Sequence, residues 1–244
     1  MKQSTMRVTG NDRIARDIFR MRTEGDTSGI FRPGQFVNLL LEGFFLRRPI
    51  SVCDWTEGQL TLIYKTVGKG TEQLSRIRPG TEIDMLTGLG NGYSPERAGD
   101  HPLIIGGGVG VPPLYGLARR LRAEGKQVTA VLGFNTREDV FYESEFRDLG
   151  CSTVITTADG SHGRKGFVTD HLPPEYSYFY ACGPIPMLKA VYRTCPAGGE
   201  FSLEERMGCG FGACMGCSIE TKAGAKRVCR EGPVFEKEAL AWNE

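Results

Sequence analysis

The four cysteines Cys209, Cys214, Cys217 and Cys229 constrain this chain more than any other feature. They sit in Arg206-Met-Gly-Cys-Gly-Phe-Gly-Ala-Cys-Met-Gly-Cys and beyond it, and the first three follow Cys-x4-Cys-x2-Cys. That spacing is the one used by plant-type [2Fe–2S] sites, with a fourth ligand further along the chain. Thiolates are soft ligands that suit iron–sulfur clusters and zinc. The interleaved Gly208, Gly210, Gly212 and Gly216 let the backbone wrap tightly and turn its amides towards sulfur. Two other readings use the same residues. Structural zinc usually takes two Cys-x2-Cys knuckles, and here only Cys214 and Cys217 form one. Disulfides belong mainly to small secreted scaffolds. Cys229 follows Cys217 after only 11 residues, closer than a plant-type ferredoxin leads one to expect, so a cluster is better specified than its type.

Composition narrows the remaining choices. The chain has 244 residues, enough for one large or two ordinary domains. A net charge of +1 without a basic stripe argues against a nucleic-acid partner. The apolar stretches are short and broken by glycine, far below the roughly 18 residues of a membrane span. The polar N-terminus lacks the apolar centre of a signal peptide. A cytoplasmic protein with reduced thiols is expected. Cys53, Cys151 and Cys195 read as ordinary small side chains. The three histidines form no recognisable pair, so histidine-centred acid–base chemistry is not expected.

Residues 1 to about 96 read as all-β. Short apolar segments, Gln35–Leu41, Pro49–Cys53 and Gln59–Lys65, are separated by turn signals such as Arg32-Pro-Gly and Arg78-Pro-Gly-Thr. A small antiparallel barrel fits that spacing. Near residue 100 the period changes. A buried strand at His101–Ile105 runs into Gly106-Gly-Gly-Val-Gly-Val-Pro-Pro, then a helix through Leu114–Gly125. Further strands follow at Gln127–Phe134, Ser152–Thr157 and Tyr178–Cys182. This alternation predicts a doubly wound parallel sheet. Beyond about residue 200 the glycine- and cysteine-rich chain can hold little core of its own, and a bound cluster would order it. The expected units are 1–96, 97–200 and 201–244.

Four motifs carry chemistry. Gly106–Gly110 follows a strand and opens a helix, a context in which backbone amides and the helix N-terminus favour a phosphate. It departs from Gly-x-Gly-x-x-Gly because Val111 takes the third place, and a tight turn alone also needs glycine. Cys182-Gly183-Pro184 ends a strand at the carboxyl edge of the sheet, where ligands bind in such folds. Arg47-Arg48-Pro49-Ile50-Ser51 offers an arginine able to pair with phosphate and a hydroxyl for a ring nitrogen. Val67-Gly-Lys-Gly-Thr71 presents amides that can form an anion nest.

In order and spacing these motifs resemble the ferredoxin–NADP reductase superfamily, a flavin barrel followed by a nicotinamide-nucleotide domain. Arg48-Pro-Ile-Ser51 occupies the place of that superfamily's Arg-x-Tyr-Ser/Thr flavin motif, with Ile50 replacing the aromatic residue. A reductase module followed by Met-Gly-Cys-Gly-x-Gly-x-Cys-x-Gly-Cys, a fourth cysteine and Glu231-Gly-Pro-Val-Phe235 resembles, more closely, the electron-transfer subunits of dihydroorotate dehydrogenase B. Asp159-Gly-Ser and Lys165-Gly-Phe-Val-Thr-Asp170 look like the same family.

The resemblance implies a flavin-binding β-barrel at 1–96, an NAD-binding α/β domain at 97–200 and a [2Fe–2S] segment at 201–244. It implies FAD held by Arg48, Pro49, Ile50, Ser51, Ile63, Tyr64, Lys65, Gly70 and Thr71. It implies NAD held by Gly107, Gly108, Gly110, Cys182, Gly183 and Pro184, and a cluster ligated by the four cysteines, with no acid–base residue of its own. The implied partner is an FMN-containing dihydroorotate dehydrogenase catalytic subunit, two chains of each kind, in pyrimidine biosynthesis. Within the same fold the alternative is the electron-transfer subunit of another ferredoxin/NAD(P) oxidoreductase or a hydrogenase-type complex. Outside it, the alternative is a non-redox zinc module.

Overall fold

The computed structural model describes residues 1–242. Six strands form the N-terminal half: β1 (Lys2–Ala15), β2 (Ile18–Glu24), β3 (Phe36–Leu39), β4 (Arg48–Thr56), β5 (Gln59–Lys65) and β6 (Glu82–Leu89). They close into an antiparallel barrel in the order β1-β2-β5-β4-β3-β6, with the short helix α1 (Lys69–Ser75) between β5 and β6. The cause is period-two burial. Along β6 every second side chain is buried, and Met6, Val8, Met21, Val37, Leu39, Leu62 and Met85 fill the barrel. Asp17, in the β1–β2 turn, takes a positive φ of 58°, a conformation Asp tolerates better than most residues. The apolar segments of the sequence locate β3, β4 and β5 and announce none of β1, β2 and β6.

The second half alternates strand and helix: β7 (Leu103–Gly107), α2 (Pro112–Ala123), β8 (Thr129–Phe134), α3 (Glu143–Asp148), β9 (Ser152–Thr157), β10 (Arg164–Lys165), β11 (Phe179–Cys182), α4 (Ile185–Thr194) and β12 (Gly199–Ser202). Pro112 and Pro113 open α2, where a missing N–H costs nothing and the fixed φ suits the helix. The C-terminal segment adds the hairpin β13 (Ser218–Thr221) and β14 (Gly224–Arg227), then β15 (Val234–Glu236). The large sheet runs β10-β9-β8-β7-β11-β12-β15. Its strands are parallel except β15, which pairs antiparallel with β12 through Phe201–Phe235. The cysteine segment therefore supplies the edge strand of the nucleotide-domain sheet.

Two interfaces fix the parts together. Helix α2 lies on β4: Gly116 passes so close to the Cys53 carbonyl that a β-carbon there would sit 2.9 Å from the oxygen. Arg119 bonds the Trp55 carbonyl at 2.8 Å and pairs with Asp54 at 2.7 Å. The second interface is a core with contributions from every part: Phe36 and Leu89 from the barrel, Phe179 and Phe201 from the sheet, and Cys217, Val228, Cys229, Phe235 and Leu240 from the cysteine segment. The segment has little core of its own, as expected, and shares this one.

Phe201 is fully buried, with its ring 5.2 Å from that of Phe179 and 5.3 Å from that of Trp242. Phe201→Ala is expected to destabilise the chain by about 3–5 kcal/mol, read as a lowered denaturant midpoint.

Candidate functional site

The cysteine loop is organised around its sulfurs. Cys209 Sγ accepts the Ala213 amide at 3.2 Å and the Cys214 amide at 3.4 Å. Cys214 Sγ accepts the Cys209 amide at 3.4 Å, and Cys217 Sγ that of Cys229 at 3.4 Å. Burial raises the Cys209 thiol's pKa, but the Phe211, Cys214 and Ala213 amides outweigh it and bring it down to about 6. Burial and the neighbouring Cys217 push Cys229 up to about 12. These amide–sulfur bonds link the cysteines two by two, Cys209 with Cys214 and Cys217 with Cys229. Among the described residues no three metal-binding side chains close around one point. Cys-x4-Cys-x2-Cys with a fourth cysteine, and only one Cys-x2-Cys knuckle, suits a [2Fe–2S] group better than structural zinc. The donor set therefore fits a [2Fe–2S] group.

The loop is braced from outside. Asn38 Nδ2, on β3, donates to the Cys209 carbonyl at 3.1 Å. Arg227 Nη1 donates to the Gly212 carbonyl at 2.5 Å, and its other nitrogens bind Glu231. Glu231 is thereby held well below the usual carboxylate range, to about 2, chiefly by Arg227. Asn91 donates to the Glu231 and Val234 carbonyls at 3.1 and 2.7 Å and accepts the Val234 amide, docking the approach to β15 on the barrel. At Gly212 φ is +94° and a β-carbon would meet Arg230 at 2.5 Å, so the turn requires glycine.

Sheet order reverses between β7 and β11, the place where open α/β sheets bind ligands beyond their carboxyl ends. The two glycine motifs meet there. Gly110 lies directly against the Cys182 carbonyl, and Gly107 against Met187, where a β-carbon would sit 2.5 Å from sulfur. Gly108 has φ +51° and open space around it, leaving its backbone approachable. Gly183 and Pro184 lead into α4. Burial pushes the Cys182 thiol up to about 12, so it stays neutral. Gly107, Gly108, Gly110, Cys182, Gly183 and Pro184 thus come together at this switch point. Tyr93, missed in the sequence, lies behind β11: fully buried, it packs edge-on against Tyr180 at 5.6 Å and donates to the Ala181 carbonyl at 3.4 Å.

On the barrel, Arg48 starts β4, reaches over α1 beside Gly70 and lies 4.5 Å above the Phe44 ring. Pro49 and Ser51 pair across to Asn38 and Phe36, and Ile50 packs with the barrel interior. Ile63 faces the core beneath α2, and Lys65 is exposed. The Tyr64 ring points into the barrel, where its hydroxyl donates to Asn11 at 2.8 Å, so only its backbone is left for a ligand outside. The proposed nest at Val67–Thr71 is partly spent: the Thr71 hydroxyl takes the Val67 amide at 2.9 Å and the Gly68 amide at 3.3 Å. The amides of Lys69, Gly70 and Thr71 remain at the start of α1.

The iron–sulfur cluster binding domain of dihydroorotate dehydrogenase B matches residues 204–241, and the oxidoreductase NAD-binding domain matches residues 104–193. A Geobacillus sp. (strain WCH70) dihydroorotate dehydrogenase B (NAD(+)) electron transfer subunit is 46% identical over 97% of both chains. The Shouchella clausii (strain KSM-K16) protein of the same name is 44% identical over 96% of both. This chain belongs to the family of dihydroorotate dehydrogenase B (NAD(+)) electron transfer subunits. It is an electron-carrying, NAD-linked oxidoreductase subunit, and the expected FAD, [2Fe–2S] cluster and NAD agree with these findings. The structure of an NADH-dependent reduced ferredoxin-NADP oxidoreductase is similar at TM-score 0.86 and 31% identity, over 97% of this chain and 90% of that one. A Neisseria gonorrhoeae ferredoxin NADP+ reductase shares the fold at TM-score 0.68 and 19% identity, over 80% of this chain and 90% of that one. The first of these is the nearer alternative complex, and its lower identity places this chain with the dihydroorotate family. Among the described residues no helix is long and apolar enough to cross a membrane.

Gly110→Ala would drive a methyl group into the Cys182 carbonyl. We expect the KM for NADH to rise at least about tenfold, the equivalent of about 1.4 kcal/mol, in steady-state assays with an artificial acceptor.

Proposed function

We propose that this chain carries electrons between NAD(H), in the β7/β11 crevice, and the FMN of a separate dihydroorotate-oxidising subunit. The observation behind this reading is that three candidate sites lie on one connected body, with the cysteine loop hydrogen-bonded to the barrel at Asn38. FAD is assigned to the barrel groove, with Arg48 and the α1 amides on its phosphates and Ser51 near its ring. NAD is assigned to Gly107, Gly108, Gly110, Cys182, Gly183 and Pro184. Cys209, Cys214, Cys217 and Cys229 are the cluster ligands. The units are 1–96, 97–200 and 201–244, of which 243 and 244 lie outside the described residues. When bound, the flavin exchanges hydride with nicotinamide and single electrons with the cluster, which is why it stands between them. The chain's own groups orient these centres and keep water from them. The finer assembly is two chains of each kind, in the cytoplasm.

Anaerobically purified chain should contain about two irons and two sulfides, as the cluster type requires; stoichiometric zinc without iron would refute it. Arg48→Ala removes a charge-assisted contact of about 1.5–3 kcal/mol, so FAD affinity should fall roughly 10- to 100-fold, measured by flavin fluorescence on dilution. The purified chain should oxidise NADH with ferricyanide and leave dihydroorotate untouched until the FMN-containing partner is added. Dihydroorotate turnover by the chain alone would overturn the assignment.

A further inference from the structure

Asn38 joins the strand beside the flavin groove to a ligand of the cluster, although 171 positions separate it from Cys209. Strand alternation sets the arrangement. Val37 and Leu39 fill the barrel, whereas Phe36 faces the core that contains Cys217 and Cys229. Asn38 points the same way as Phe36. Its cross-strand neighbour is Pro49, inside the Arg48–Ser51 motif. Its side chain is 1% exposed. Nδ2 donates to the Cys209 carbonyl, and Gly210, with φ +76°, lies so tightly on the amide that no β-carbon fits. Oδ1 is buried and has no hydrogen-bond partner among the described residues. A buried acceptor left unmade costs about 1–3 kcal/mol, so what this side chain supplies at the junction is its Nδ2 contact to Cys209.

We propose that Asn38 is the positioning residue that couples the flavin strand to the cluster: from β3, which pairs with the Arg48–Ser51 motif, Nδ2 fixes the Cys209 loop and with it the cluster's place and potential. The inference rests on the assignment of FAD to the barrel groove. One amide then ties the strand beside the flavin motif to the Cys209 loop and sets that loop's position and local dipole. Reduction adds negative charge to the cluster, and a donor beside Cys209 stabilises that charge. An isosteric carboxylate would remove the donor and add repulsion. An apolar side chain would only remove the donor.

The test uses the full chain loaded with FAD and cluster, comparing parent, Asn38→Asp and Asn38→Leu. EPR-monitored redox titration gives the cluster midpoint. Stopped-flow mixing with NADH gives the ratio of cluster reduction rate to flavin reduction rate. The midpoint should fall in the order Asn, Leu, Asp, with Asp lower than the parent by at least a tenfold change in the one-electron equilibrium, about 59 mV. The rate ratio should fall about tenfold in both variants. Unchanged midpoint and ratio in variants that keep FAD and iron would overturn the proposal. Because Asp is isosteric, it carries the test if the Leu variant does not fold. Absence of FAD or iron from the parent chain would instead defeat the assignment of cofactors, a separate and recognisable result.

Discussion

The hydrophobic core shared by barrel, sheet and cysteine segment is what the other features depend on. Cys217 and Cys229 are buried in it beside side chains from both other parts. Electron tunnelling falls off steeply with distance, so a relay needs its centres at fixed separations more than it needs reactive groups. Close packing supplies that fixity because interiors packed like crystals transmit small displacements. The edge strand β15 and the Asn91 contacts extend the same constraint to the chain on either side of the cluster loop.

The electrostatics follow from the same task. The amides around Cys209 favour its thiolate, whereas desolvation keeps the thiol of Cys182, beside Gly110, neutral. The two conditions suit a ligand and a wall respectively. His162 pairs with Glu143, His171 contacts the Lys165 carbonyl, and His101 is exposed. An acid or base would have nothing to do where cofactors exchange the electrons.

Much of this was legible in residue order. The thiol spacing, the strand–glycine–helix junction and the change of period near residue 100 each have a local cause, and each element appears where that cause puts it. What escaped was non-local. Strands β12 and β15 are four and three residues long, and they pair across more than thirty positions that include the cysteine loop and the β13–β14 hairpin. No periodicity announces them. Strand β1 escaped for another reason, since its buried face includes Ser4 and its outer face is strongly polar, which dilutes the alternation. Asn38 sits among apolar neighbours in a four-residue strand, and only the fold brings Cys209 to it. A polar residue inside an apolar strand was the available signal. Tyr64 illustrates the converse: strand parity, counted from Leu62, already turns its ring inward.

The antiparallel pairing of β15 with β12 gives the cysteine segment a second task. In the folded molecule this short strand covers the outer edge of the nucleotide sheet. An uncovered strand edge is a template for other chains, so the segment that carries the cysteines also caps the sheet against edge-to-edge association.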